Sequence, residues 1–345
     1  MSFKNPKNIN VGLVGCGRIS AQHLTAISLL KNQIKLVAVC DADSKKAEEA
    51  GLKYRVPFYT RYPDLLHKTD MDLVVVCTPN GLHYSMASAA LQVGKHVLLE
   101  KPLALNLKDG DKLIRTFKEK KKALFVVMQV RYNQALRALK KAIDEGKLGK
   151  IYHAALTIRW SRSQSYFKET PWRGKKSMDG GALLNQGIHY VDALQWLLGD
   201  VKSVYAKVDR VAHEIESEDE VFSLLKFKNG AYGLIEFTIN AYPQNLECSI
   251  TVLGERGTVK LGGKAIDEID FWEVENCPRP EIKKKVLSRF TGVSPNHLFI
   301  YQDLINYFKK GKKPFFTSQE ARKSLSIIET IYQSDRQKEE IKLPR

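Results

Sequence analysis

Between residues 10 and 30 the chain runs from a short apolar strand, Asn10-Val11-Gly12-Leu13-Val14, through Gly15-Cys16-Gly17-Arg18-Ile19-Ser20 into a pattern with Leu24, Ile27 and Leu30 at helical spacing. Strand, glycine turn and helix in this order constrain the fold strongly. A helix opening just after such a turn aims the positive end of its dipole and its first backbone N–H groups at whatever the turn encloses. Gly15 suits the tight turn, and Gly17 lets the backbone approach a pyrophosphate. Ser20, in place of a third glycine, is small enough for close helix packing. Arg18 and Ile19 complete the turn and join the candidate cofactor contacts. A GxGxx(small) turn is a weak signal alone.

The next segments strengthen it. Leu36-Val37-Ala38-Val39-Cys40 ends at Asp41, which is placed to accept hydrogen bonds from an adenine ribose and to repel a 2′-phosphate, so NAD is expected rather than NADP. The bland alternative is that Asp41 or Asp43 caps a helix starting near Ser44. A third apolar run, 72–77, leads into Thr78-Pro79-Asn80 and His83. A fourth, 96–99, leads into Glu100-Lys101-Pro102, and a fifth covers 124–128. Continuous β-branched runs alternating with amphipathic helices predict a parallel, doubly wound sheet. Ligands bind at the carboxyl ends of such strands, so Thr78, Asn80, Glu100 and Lys101 are expected at the ligand edge. His83 either joins them as a cofactor contact or caps a helix.

With 345 residues, 43% of them hydrophobic, the chain is long enough for about two domains. It contains no apolar run long enough to cross a membrane, and Met1-Ser2-Phe3-Lys4-Asn5-Pro6-Lys7 has no apolar signal-peptide core, so no membrane insertion and a cytoplasmic location are expected. Its five cysteines are scattered without a CxxC pair, which indicates neither a disulfide framework nor a metal site. The formal charge of +17 comes from lysines spread over helix faces and loop tips, with no accompanying nucleic-acid motif. No nucleic-acid partner is expected, and an anionic small substrate, such as a nucleotide sugar, fits that charge as well.

The glycine turn, Asp41, Thr78-Pro79-Asn80 and Glu100-Lys101-Pro102, in that order, resemble the glucose–fructose oxidoreductase / inositol dehydrogenase family, Gfo/Idh/MocA. The likeness continues through Asp179-Gly180-Gly181-Ala182-Leu183-Leu184-Asn185-Gln186-Gly187-Ile188-His189-Tyr190, which is similar to that family's catalytic helix, and through 317–325, similar to its C-terminal helix. The resemblance implies α/β architecture: an NAD(P)-binding Rossmann domain over 1–129, then over 130–345 an α/β domain with a large open, mostly antiparallel sheet that binds substrate and builds homodimers or homotetramers. Strand-like segments at 151–159, 201–208, 221–228, 230–239, 247–253 and 257–261 agree with it.

The family implies that Lys101 bonds substrate beside the nicotinamide and that His189 is the acid/base. Where many members have Asp four residues before this histidine, the chain has Asn185, which can orient substrate but supplies no charge; this leaves Lys101 as a second candidate for the base. The loop carrying Tyr166, Trp172 and Arg173 borders cofactor and substrate in the family. Arg173 is the first anion-binding candidate, with Arg159 and Arg162 behind it. His297, opening a helix over 298–308, is a weaker candidate. The Trp-Arg-Gly loop followed by the Asn185–His189 helix is most similar to the branch that oxidises C3 of nucleotide sugars for bacterial surface-polysaccharide synthesis. Some of those enzymes recycle NAD with 2-oxoglutarate. A free sugar or inositol dehydrogenase is the alternative, and a non-catalytic dinucleotide-binding regulator a third.

Overall fold

A computed structural model describes residues 8–282 and 295–344. The chain divides into two compact units. One comprises Met1–Ala104, Lys108–Gln129 and Lys284–Glu320; the other comprises Leu105–Leu107, Val130–Lys283 and Ala321–Arg345. The second unit is therefore not the unbroken stretch 130–345 expected from the sequence, because a helix from the C-terminal part returns to the first unit.

The first unit holds six parallel strands: β1 (Ile9–Val14), β2 (Ile34–Cys40), β3 (Phe58–Tyr59), β4 (Leu73–Val76), β5 (His96–Leu99) and β6 (Leu124–Val126), in the order β3-β2-β1-β4-β5-β6. Every residue of β4 is buried, as a strand covered on both faces requires. The helices are α1 (Ser20–Leu29), α2 (Ser44–Tyr54), α3 (Tyr62–Lys68), α4 (His83–Gln92) and α5 (Leu107–Glu119). Strand order reverses between β1 and β4, which is where a doubly wound sheet opens a crevice at its carboxyl edge. Backbone bonds carry the ladder past the strand ends: Gly15 N–H donates to Cys40 O at 2.8 Å, Cys77 N–H to Val14 O at 2.8 Å and Glu100 N–H to Val76 O at 2.9 Å. The turns after β1, β4 and β5 are thereby held in register at one edge.

The second unit is built on α6 (Gln134–Asp144), β7 (Ile151–Arg159), α7 (Gln164–Lys168), α8 (Ile188–Leu198), and β8 (Val201–Asp209) through β9 (Glu220–Phe227), β10 (Tyr232–Thr238), β11 (Glu247–Gly254), β12 (Gly257–Gly262) and β13 (Glu268–Val274). Helix α9 (Pro295–Lys310) belongs to the first unit and packs on α1. After α10 (Ser318–Gln337) the short β14 (Ile341–Lys342) completes an eight-stranded sheet in the order β13-β12-β11-β7-β10-β9-β8-β14. Among the described residues only the β10–β7 pair of this sheet is parallel. Alternating side chains bury one face. The other carries Tyr205, Phe222, Leu224, Tyr232 and Leu234, each about half exposed, with Leu224 opposite both Tyr205 and Leu234. The six strand segments read from the sequence match β7–β12 to within two residues, while β3, β13 and β14 were not anticipated.

Helix α8 is buried on nearly every side, including His189, Asp192 and Gln195. Asp192 is clamped by both Nε and Nη2 of Arg131, each at 2.7 Å, with the two side chains 1% and 2% exposed. A buried charge needs such pairing, and the pairing fixes the helix against the segment that opens this unit.

Candidate functional site

At the carboxyl edge of the first sheet Gly15 has φ +93°, and a Cβ there would sit 2.6 Å from the Cys77 carbonyl, so only glycine fits. Gly17 and Arg18 are exposed and Ile19 half-buried. Helix α1 has Ile19 at its N-cap and no side-chain cap. A bound pyrophosphate supplies the missing acceptor in dinucleotide-binding turns. Asp41 accepts from Cys16 N–H at 2.7 Å through Oδ2 and from Asp43 N–H at 2.9 Å through Oδ1. The cap of α2 is Asp43, which accepts from Lys45 and Lys46 N–H. Asp41 is thus joined to the glycine turn and does not cap the helix. Thr78 Oγ1 is buried with no hydrogen bond among the described residues. Cradle, uncapped helix end, carboxylate and buried hydroxyl together suit a dinucleotide.

Two residues expected at that edge turn inward. The Glu100 side chain is buried, with Oε1 2.9 Å from His23 Nε2 and Oε2 accepting from Lys101 N–H at 3.2 Å. His83 is fully buried, its Nδ1 2.7 Å from Pro102 O and its Nε2 3.0 Å from Thr78 O. Both ring nitrogens lie against backbone carbonyls in the segments that follow β4 and β5, so His83 ties those two segments together and does more than cap a helix. Burial pulls its pKa down, while the two carbonyl acceptors pull it the other way. Lys101, half-buried, follows Glu100 directly, and Asn80 is buried in a 3₁₀ turn over Asn80–Leu82. His297 lies 3.6 Å from Glu100 Oε1.

In the second unit Asn185 and His189 are each 8% exposed. They are not related by one ordinary α-turn, as their spacing suggested, because the helix is π over Leu183–Gly187 immediately before His189. Such insertions are frequent at functional sites. Two buried carboxylates hold this segment. Glu218 accepts from Leu183 N–H at 2.8 Å and from the Tyr332 hydroxyl at 2.7 Å, and burial pushes its carboxyl up to about 6. Asp179 accepts from Gly174 N–H at 2.8 Å, which ties down the Trp172–Gly174 loop. Gly181, at φ +127°, leaves room for Glu218 and Tyr332; a Cβ would meet the Tyr332 hydroxyl at 2.4 Å.

Before this helix, aromatic rings and guanidinium groups alternate. The Arg162 guanidinium lies 4.9 Å from the Trp160 ring and 5.4 Å from Tyr166; Arg173 lies 4.1 Å from Tyr166 and 5.9 Å from Trp172. Trp160 meets Tyr190, the neighbour of His189, edge to face at 5.6 Å. Arg173 also donates to Glu169 at 2.6 Å and borders a cavity of about 560 Å³ that Lys168, Lys175 and Arg210 line as well. Arg159 is different. Glu236 takes two of its donors at 2.5 and 2.7 Å and Glu247 a third at 3.0 Å, so two carboxylates already neutralise it. That removes the reason to read Arg159 as an anion ligand. Sequence reasoning missed His23, Tyr301, Glu218 and Arg131, none of which sits in a motif.

The comparisons agree with this anatomy. Residues 9–128 match the GFO_IDH_MocA oxidoreductase family, NAD-binding Rossmann fold, and residues 136–260 match the GFO/IDH/MocA C-terminal domain. The chain belongs to the Gfo/Idh/MocA family and is an NAD-dependent dehydrogenase of the sugar-oxidising type. It is 38% identical to the WlbA dehydrogenase of Bordetella pertussis, solved with NADH and UDP-GlcNAcA (TM-score 0.90, covering 98% of this chain and 99% of that one). It is 36% identical to the WlbA dehydrogenase of Chromobacterium violaceum, solved with the same two molecules (TM-score 0.91, 98% and 97%). Among curated relatives, the myo-inositol 2-dehydrogenase of Thermotoga maritima is 25% identical over 97% of this chain and 98% of its own length.

Proposed function

We propose that this dehydrogenase oxidises the C3 hydroxyl of a nucleotide sugar, a UDP-hexuronic acid such as UDP-GlcNAcA, within surface-polysaccharide synthesis. The observation that carries the reading is the gap in similarity: 36–38% identity, end to end, to two structures holding UDP-GlcNAcA, against 25–27% for the inositol and levoglucosan dehydrogenases. The two guanidinium groups among Trp160, Tyr166 and Trp172 support it, since stacked arginines with oriented donors suit a diphosphate and flat rings suit a base or sugar.

When bound, the nicotinamide supplies the acceptor for the hydride leaving C3. This chain's own residues manage the rest. Gly15, Gly17, Arg18, Ile19, Asp41, Thr78 and Asn80 hold the dinucleotide. Lys101 bonds the reacting hydroxyl, and His189 takes its proton as the C3–O bond becomes a carbonyl. Asn185, Tyr166, Trp172 and Arg173 orient the substrate. Because Asn185 brings no charge to support an imidazolium, Lys101 shares the work of lowering the hydroxyl's proton affinity. The apolar stripe Tyr205–Leu224–Leu234 on the open sheet face is assigned to contact with a second copy of the chain, giving a homo-oligomer.

Steady-state kinetics of Lys101→Met and His189→Asn test the chemistry. Each is expected to lower kcat by about a hundredfold or more while NADH affinity stays within about threefold. Unchanged kcat in both variants contradicts the assignment.

A further inference from the structure

Glu100 presents a cost that the proton chemistry does not explain. A carboxylate withdrawn from water loses several kcal/mol of solvation, and apolar side chains of similar volume usually serve packing as well or better. Yet Glu100 is buried and held ionised, its pKa kept well down by hydrogen bonds from imidazole. His23 and Tyr301 are wholly buried beside it, with His23 Nδ1 2.9 Å from the Tyr301 hydroxyl and His23 Nε2 2.9 Å from Glu100 Oε1.

One protonation pattern satisfies every member. Burial raises the Tyr301 pKa, so its hydroxyl stays protonated and donates. Burial lowers that of His23, so the ring is neutral, accepts at Nδ1 and donates from Nε2. Glu100 accepts that proton at Oε1 and the Lys101 N–H at Oε2. His297 Nε2 stands 3.6 Å from the same oxygen, with its ring edge to face against His23 at 4.9 Å. With both His23 nitrogens engaged, this buried cluster reads as a directed chain of hydrogen bonds and not as a cation site.

The chain crosses three elements that otherwise share no sequence signal. It starts on α9, the helix returned from the C-terminal part, passes through α1, whose first turn closes the glycine cradle, and ends on the backbone of Lys101 after β5. From the other side His83 holds the carbonyl of Pro102. Lys101 is therefore bracketed by two fixed neighbours, one of them tied to the helix that faces the pyrophosphate. We infer that Tyr301, His23 and Glu100 form a positioning relay that locks Lys101 in register with the dinucleotide-binding helix. This rests on the reading of Lys101 as the residue beside the nicotinamide. The three act through Lys101 and are positioning residues only.

The test needs no sugar substrate. Lys101 in the full-length protein is acylated by trace acetic anhydride with and without saturating NADH, and the modified fraction is read by mass spectrometry. In the wild type NADH protects Lys101 about tenfold. In His23→Leu, protection falls below about threefold although NADH binding by fluorescence is retained, and His23→Gln, whose amide N–H replaces that of Nε2, restores it. If His23→Leu does not fold, Tyr301→Phe, which removes only the terminal donor, serves instead and is expected to lose about half of the protection. Full protection in Tyr301→Phe and in any folded His23→Leu overturns the relay. Stoichiometric zinc in the purified protein also overturns it. Absence of protection in the wild type removes the placement of Lys101 beside the nicotinamide, and the relay falls with it.

Discussion

His23 Nε2 donates to Glu100 Oε1 at 2.9 Å inside a fully buried cluster, joining helix α1 to the residue before Lys101. Removing one partner strands a desolvated polar group, whereas removing both does not. His23→Leu is expected to cost about 3–5 kcal/mol, and His23→Leu combined with Glu100→Leu less than the sum of the single changes. Urea unfolding of the four proteins gives the coupling energy; a value near zero denies the pair any energetic role.

Asp41 ends β2 and holds the glycine turn through Cys16 N–H. Its negative charge disfavours a 2′-phosphate. Asp41→Asn keeps an acceptor for Cys16 and loses the charge, so a preference for NADH over NADPH of about a hundredfold should narrow to about tenfold or less. Titrations followed by nicotinamide fluorescence measure both affinities, and an unchanged ratio places the discrimination elsewhere.

Glu218 links acidity to the stability of the segment before His189. Its carboxyl rises from 4.5 to about 6 through burial. The folded state therefore binds this proton more tightly than the unfolded chain. The associated stability is fully present below pH 4.5 and is lost as pH rises through about 6, amounting to about 2 kcal/mol. Glu218→Gln removes this contribution, so the wild type should lose about 2 kcal/mol relative to the variant between those two pH values. Denaturant melts at several pH values read the difference, and parallel curves rule the effect out.

Arg159 and Arg173 have opposite surroundings and should respond differently. Two carboxylates occupy Arg159, while Arg173 has one exposed carboxylate, Glu169, bonded to it and borders a cavity of mixed charge, lined by Lys168, Lys175 and Arg210 and by Glu214 and Glu216. Arg173→Leu is expected to weaken UDP binding by about tenfold or more, and Arg159→Leu by less than about threefold. Calorimetry with UDP separates them; a loss below about threefold in Arg173→Leu would mean that its guanidinium does not touch the diphosphate.

Much of this anatomy was legible because it is local. The run from Val11 to Ser20 states strand, turn and helix in consecutive residues, and Val74-Val75-Val76 can satisfy its apolar side chains only in a doubly covered strand. What was not legible depends on partners far away in sequence. His23 and Tyr301 are 278 residues apart, so neither looks unusual in its own helix. Glu100 reads as a ligand-edge residue from its neighbours, and only α9 and α1 reveal that it faces inward. Arg159 looked like an anion site because Glu236 and Glu247 lie on other strands. The π turn at Asn185 ends on Gly187, where a Cβ would meet Leu183 and Phe237, and the glycine alone does not tell a π turn from an ordinary helix end.

The central claim, oxidation of a nucleotide sugar, is tested most directly by formation of the keto product, read by mass spectrometry, in the purified protein with UDP-GlcNAcA, myo-inositol and levoglucosan as substrates, with 2-oxoglutarate added as acceptor to turn over retained cofactor. The account predicts that kcat/KM for UDP-GlcNAcA exceeds that for either free sugar or polyol by about a hundredfold or more, because only the nucleotide sugar engages the stacked arginines. Faster turnover of inositol or levoglucosan, with none of the UDP sugar, would contradict it.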